Sequence, residues 1–138
     1  MMIKTSELIG GQLDWAVATC EGYTDLRKNA HRFDRTLIMT PPRKEYGPVF
    51  LDDLAYSGDW SIGGPIMDAQ YIETTVIPAG FDPKEHPPIV DGDVWEAKHY
   101  PGDCDPVEAA GPTRLIAAMR SYVASKLGAE VDIPEELL

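Results

Sequence analysis

Only two cysteines, Cys20 and Cys104, occur in the 138 residues. Two thiols make no disulfide framework, and a chain of this length can bury a core without one. They are read as free thiols, as a reducing compartment would keep them. Long apolar runs are missing too. None approaches the roughly 20 residues that span a bilayer, and no charged start leads into an apolar stretch as in a secretory leader. The expectation is a cytosolic protein with no membrane contact. Basic side chains are the third scarcity: 12 against 23 acidic, for a net charge of −11. Residues 1–46 hold seven basic and six acidic side chains, and residues 47–138 hold five and seventeen. Such a field repels phosphates, so direct nucleic-acid binding is disfavoured. It attracts basic protein faces instead. The one basic stretch, residues 27–44 with Arg27, Lys28, Arg32, Arg35, Arg43 and Lys44, is too local to reverse that balance.

Reaction signatures are also lacking. His31, His86 and His99 are scattered, with none of the spacings that gather a metal. The acid pairs Asp91/Asp93 and Asp103/Asp105 lack the twelve-residue ligand series of a calcium loop and read as solvated loop acids. Ser57 and Ser61 stand in no nucleophile elbow, and no phosphate-binding glycine loop is present. No metal, cofactor or catalytic residue is expected, and the sequence points away from an enzyme.

What the chain has in excess is proline, 12 of 138, nearly twice an average usage of about 5%. Residues 78–93 hold four prolines and read as an exposed connection within a single domain of residues 1–138. Around them, two helices are legible. Thr5, Ser6 and Glu7 suit a helix start. Ile9, Leu13, Ala16, Val17 and Cys20 then form an apolar stripe ending at Gly22, with Gly10-Gly11 delaying the helix toward Gln12. The C-terminal helix opens at Gly111-Pro112-Thr113. It carries Leu115, Ala118, Met119, Tyr122, Val123 and Leu127 on one face and small Ala117, Ser121 and Ala124 on another, and stops at Gly128. The small face permits a homodimer. Strands are expected near Met2–Lys4, Leu37–Met39, Val49–Leu51, Tyr71–Ile77 and Val94–Tyr100, the last with Trp95, Ala97 and His99 inward and Glu96 and Lys98 outward. From about residue 129 the tail is acidic and extended. The fold class is α+β: a small, mostly antiparallel sheet of three to five strands packed with N- and C-terminal amphipathic helices.

The stretch Asp59-Trp60-Ser61-Ile62-Gly63-Gly64-Pro65 has two readings. As a ligand site, Trp60 offers a flat face, Asp59 an acceptor, and Gly63, Gly64 and Pro65 a rigid backbone open to close approach. As structure, Trp60 fills the core while the glycines take positive φ in a tight turn. Each tryptophan has an acidic neighbour, as in Asp14-Trp15, Asp59-Trp60 and Trp95-Glu96, and a shared aromatic wall is the sharper expectation. Thr113 and Arg114 open a helix whose free N–H groups favour anions. Arg120, on the same helix, suits either an ion pair or a ligand's negative charge.

Three blocks, IKTSEL with LDWAVA (Ile3–Leu8, Leu13–Ala18), YSGDWSIGGPI (Tyr56–Ile66) and GPTRLIAAMRSYVASKLGAEVDIPEEL (Gly111–Leu137), together resemble the NinX-type phage proteins. Residues 23–48 and 76–93, and Arg114, depart from that pattern. The resemblance implies a phage accessory protein in the host cytoplasm and brings no known reaction. Two functions follow as expectations. One is a non-catalytic binding module that takes a small polar aromatic, nucleotide-like ligand with Trp15, Asp59, Trp60, Gly63, Gly64, Pro65, Trp95, Thr113 and Arg120. The other is an acidic adaptor or inhibitor docking on a host or phage protein.

Overall fold

The computed structural model describes residues 1–29, 36–82, 84, 86–102 and 105–138. The chain is α+β, as its pattern predicts, but with three helices and three small antiparallel sheets among the described residues. In order these are β1 (Met2–Lys4), α1 (Gly10–Cys20), β2 (Thr24–Lys28), β3 (Leu37–Thr40), β4 (Val49–Phe50), α2 (Trp60–Ala69), β5 (Glu73–Val76), β6 (Trp95–His99), β7 (Val107–Gly111), α3 (Arg114–Leu127) and β8 (Glu130–Asp132). The sheets run β1-β8, β2-β3-β4 and β5-β6-β7.

α3 is the centre. Every residue from Leu115 to Val123 is buried, which the sequence foreshadows in a helix apolar on one face and small on the other. The apolar face meets Leu13, Ala16 and Val17 of α1 in the main core. The small face receives β7, where a Cβ on Gly111 would lie 2.7 Å from the Ala117 nitrogen. Ala117 and Ser121, two of the three small residues on that face, are fully buried, while Ala124 is half-buried. β6 pairs with β5 and β7 on its two sides, Ala97 opposite both Thr74 and Ala109. Its alternation works as expected on one face: Ala97 and His99 are buried, and the His99 ring meets Tyr122 of α3 edge-on at 5.7 Å.

Several expectations are corrected. Thr5 does not cap α1. Residues Thr5–Glu7 form a separate 3-10 turn, the Thr5 hydroxyl donates to the Gly128 carbonyl at 2.7 Å, and α1 starts after an uncapped, exposed Ile9. Thr24–Lys28, outside the expected strands, is a strand because it pairs with β3 across a bulge. The acidic tail is held: β8 lies against β1 with Val131 opposite Ile3, and Glu135–Leu137 adds a 3-10 turn. Glu96, placed on the solvent side of β6, is buried with its carboxylate 3.2 Å from His86 Nδ1, because the proline-rich connection folds back over that face. Asp93 is no solvated loop acid; its side chain is 2% exposed and paired with Arg120. Cys20 is a free thiol, half-buried, and burial pushes it up to about 12. Cys104, Asp103, and Arg32 and Arg35 of the basic stretch lie outside the described residues.

Candidate functional site

The DWSIGGP stretch is the start of α2, a helix the sequence did not announce. Two glycines cost about 1 kcal/mol each relative to alanine, and an interior proline about 3 kcal/mol. Pro65 sits inside the helix nevertheless. Tertiary contacts override propensity. Asp59 caps the first turn, accepting from the Ser61 amide at 2.9 Å and the Ser61 hydroxyl at 2.7 Å, and these bonds hold its carboxyl below the usual range. Asp14 of α1 accepts from the Ser57 amide at 2.8 Å and so fixes the approach to the cap. Burial raises the Asp14 carboxyl even against those hydrogen bonds.

Gly63 and Gly64 are helical; neither has the positive φ that the turn reading requires. Gly63 serves close packing. A Cβ there would stand 2.2 Å from the Tyr56 carbonyl oxygen and 2.8 Å from Leu115 Cδ1. The intimate approach is therefore made by the protein itself. Gly64 is different: a Cβ would meet only Trp60 Cε3, at 3.6 Å. The Trp60 ring, from one turn before Gly64, lies back over α2 at a distance that would leave a Cβ there in ordinary contact. Trp60 does not fill the core. It is 53% exposed.

Trp95 and Trp15 are half-buried and packed against the core. The Arg114 guanidinium stacks over the Trp95 ring, 4.4 Å from its centroid, a cation–π contact. Thr113 caps α3, accepting from the Ile116 amide at 3.1 Å.

The contacts give these residues a common location. Gly63, near the start of α2, meets Leu115 at the start of α3. Gln70, just past the end of α2, meets His99 at 3.3 Å, and His99 meets Tyr122 well along α3. The two helices therefore run side by side in one direction, with β6 alongside from Trp95 to His99. Trp60, Trp95, Thr113 and Arg114 share the end at which both helices begin. Exposed Val76 lies opposite Trp95 on β5 at the same end. Trp15 stays with the core packing of α1.

Arg120 stands apart, in the interior. Its Nε donates to the Leu8 carbonyl and its Nη1 to the Ala110 carbonyl, both at 2.9 Å, with Asp93 Oδ1 at 3.5 Å. Burial lowers the guanidinium and Asp93 opposes that shift. Of the two roles open to it, the ion pair is the one formed.

A second polar group went unread in the sequence. The Tyr122 hydroxyl lies beside the Glu21 carboxylate, next to Cys20, and Tyr56 lies beside Tyr23. Burial is the leading cause raising both Glu21 and Tyr122, the phenol to about 12. No spacing rule flags residues from α1, the α2 approach and α3 that meet only through the fold. Arg114 was the legible part, being the first cation of a helix next to a threonine cap.

The class defined by this architecture is a small α+β protein with an indole presented at the common start of two helices. The family described as Bacteriophage P22, NinX matches residues 4–126, and the chain belongs to that family. Membership suggests a phage accessory protein. No curated protein matches the chain. Among the described residues, no helix is long and apolar enough to cross a membrane.

Proposed function

We propose that the protein is a non-catalytic binding module that takes a small polar aromatic, nucleotide-like ligand at the end where α2 and α3 begin. One observation carries the reading: an indole 53% exposed on the first turn of a helix, backed by Gly64. Large apolar faces fixed in that way are anchors for partners. In this reading Trp60 stacks on the ligand's ring, while Arg114, fixed on Trp95, and the N–H groups of the α3 start receive its negative charge. Asp59 and Gly63 set the frame and do not touch the ligand. Tryptophan fluorescence titrated with nucleotides and their cyclic and ribosylated relatives tests this. Quenching that saturates, and weakens about tenfold or more in W60A and R114A, is the expected result. Flat traces across the panel remove the proposal.

The same exposed indole, with seventeen acidic against five basic side chains over residues 47–138, favours a second reading. The protein is then an acidic adaptor or inhibitor whose Trp60 anchors a basic face of a host or phage protein. A charge-steered complex of that kind weakens with ionic strength; a partner held equally at high salt contradicts it.

A further inference from the structure

A different surface lies farther along α3. A groove of about 720 Å³ runs between the first residues of the chain, the connection at 88–90, β7 and α3, a volume within the range of small-molecule sites. Ala109 of β7 and Ala124 of α3 line it with small side chains. Ile89 and Val90 border it and remain 42% and 38% exposed.

That border is built to stay where it is. Asp93 Oδ2 accepts from the Val90 amide at 2.8 Å, and the Asp93 amide donates to the Val90 carbonyl at 2.9 Å. Asp93 Oδ1 faces Arg120, which is tied to the Leu8 and Ala110 carbonyls. The buried ion pair thus anchors the Val90 backbone at the edge of an open cleft. Charge then selects the occupant. The lining carries Glu7, Glu108 and Glu130, against Lys4 and an Arg120 already paired with Asp93. Lys98 comes within 3.6 Å of Glu108, so three carboxylates still outnumber two ammonium groups. An anion is repelled here, as is a second copy of a chain of net charge −11.

We propose that this groove docks a basic segment of a partner protein, with an apolar side chain seated beside Val90 and Ala124 and lysines or arginines paired to Glu7, Glu108 and Glu130. The site is separate from the Trp60 end and independent of the ligand proposed there.

The test is a titration of the isotope-labelled full chain with a short synthetic peptide of lysine, leucine and serine. Two controls accompany it, the same peptide with glutamate for lysine, and n-hexylamine. Amide signals of Val90, Ala109 and Ala124 are expected to move saturably with the lysine peptide. Affinity should fall about tenfold or more between about 50 and about 500 mM salt. The triple variant E7Q/E108Q/E130Q, confined to the lining carboxylates, should lose about tenfold, A124W should block the groove, and W60A should leave binding unchanged. Silent groove signals, or an equal response to the glutamate peptide, overturn the proposal. An equal affinity for n-hexylamine also overturns it, making the groove a small-amine site. Loss of peptide binding in W60A would do so as well, by moving the contact to the other end of the molecule.

Discussion

Helices α2 and α3 run side by side, both begin on side-chain caps, and yet they are stabilised by opposite means. α3 is written in good helix formers and is buried over nine consecutive residues from Leu115 to Val123. α2 carries Gly-Gly-Pro in its middle and buries only Gly63 and Ile66. The first would be recognised as a helix in many surroundings. The second is a helix because Asp59, Asp14, Tyr56 and Leu115 hold its backbone in place. What differs is where the stabilising information sits: in local propensity for α3, in its neighbours for α2.

The comparison is open to attack at several points. The largest effect should come from α3. R120M leaves the Asp93 carboxylate buried without its cation, and denaturant unfolding should show a loss of about 3–5 kcal/mol. A loss below about 1 kcal/mol would mean that α3 does not depend on that pair. Next is G63A in α2. Alanine is the better helix former, but its Cβ collides with the Tyr56 carbonyl, and overpacking of this kind costs about 1–3 kcal/mol. A stabilised G63A would show that α2 obeys propensity after all.

The third prediction concerns the place where the two helices meet. His99 is 1% exposed, with Tyr122 against its ring, Gln70 on Nε2, and Nδ1 without a hydrogen-bond partner among the described residues. Burial, helped by Lys126, lowers its pKa from the ordinary 6.5. The unfolded chain therefore takes the proton first as pH falls. The stabilisation is complete above about pH 6.5 and is lost below it, at up to about 1.4 kcal/mol per pH unit until the folded imidazole titrates. Asp14 and Glu21, both raised, oppose this trend at lower pH. The measurement is thus the difference in slope between the natural chain and H99Q from about pH 7.5 to about pH 5.5. Parallel slopes would remove His99 from the account.

Removing the α3 cap in T113A should cost about 1 kcal/mol. The smallest effect has the other sign. G64A, where a Cβ meets only the Trp60 ring at 3.6 Å, should gain up to about 1 kcal/mol from helix propensity. Opposite signs for adjacent glycines, read in one melting experiment, are the sharpest form of the comparison.

The contrast also explains what was legible beforehand. α3, the apolar part of α1 and the strand at Trp95–His99 follow periodicity and appear in the sequence within a residue or two. β8 and β2 do not, since a short acidic or basic strand is specified by its partner and not by its own pattern. α2 was hidden because every local signal in DWSIGGP argues for a turn. At the candidate site, Trp60, Thr113 and Arg114 could be singled out as chemistry. Their shared location could not, because it arises from the parallel course of α2, α3 and β6. Arg120 was noticed for its charge; its use depends on Asp93, 27 residues away along the chain, in a connection whose prolines suggested only exposure.

Three indoles occupy three different settings, which supplies an internal control for the central claim. The indole N–H signals of the labelled protein can be followed during addition of a nucleotide panel. Binding at the common start of α2 and α3 predicts that Trp60 and Trp95 shift and saturate together while Trp15 stays still. Three unmoved signals, or movement of Trp15 alone, would contradict it.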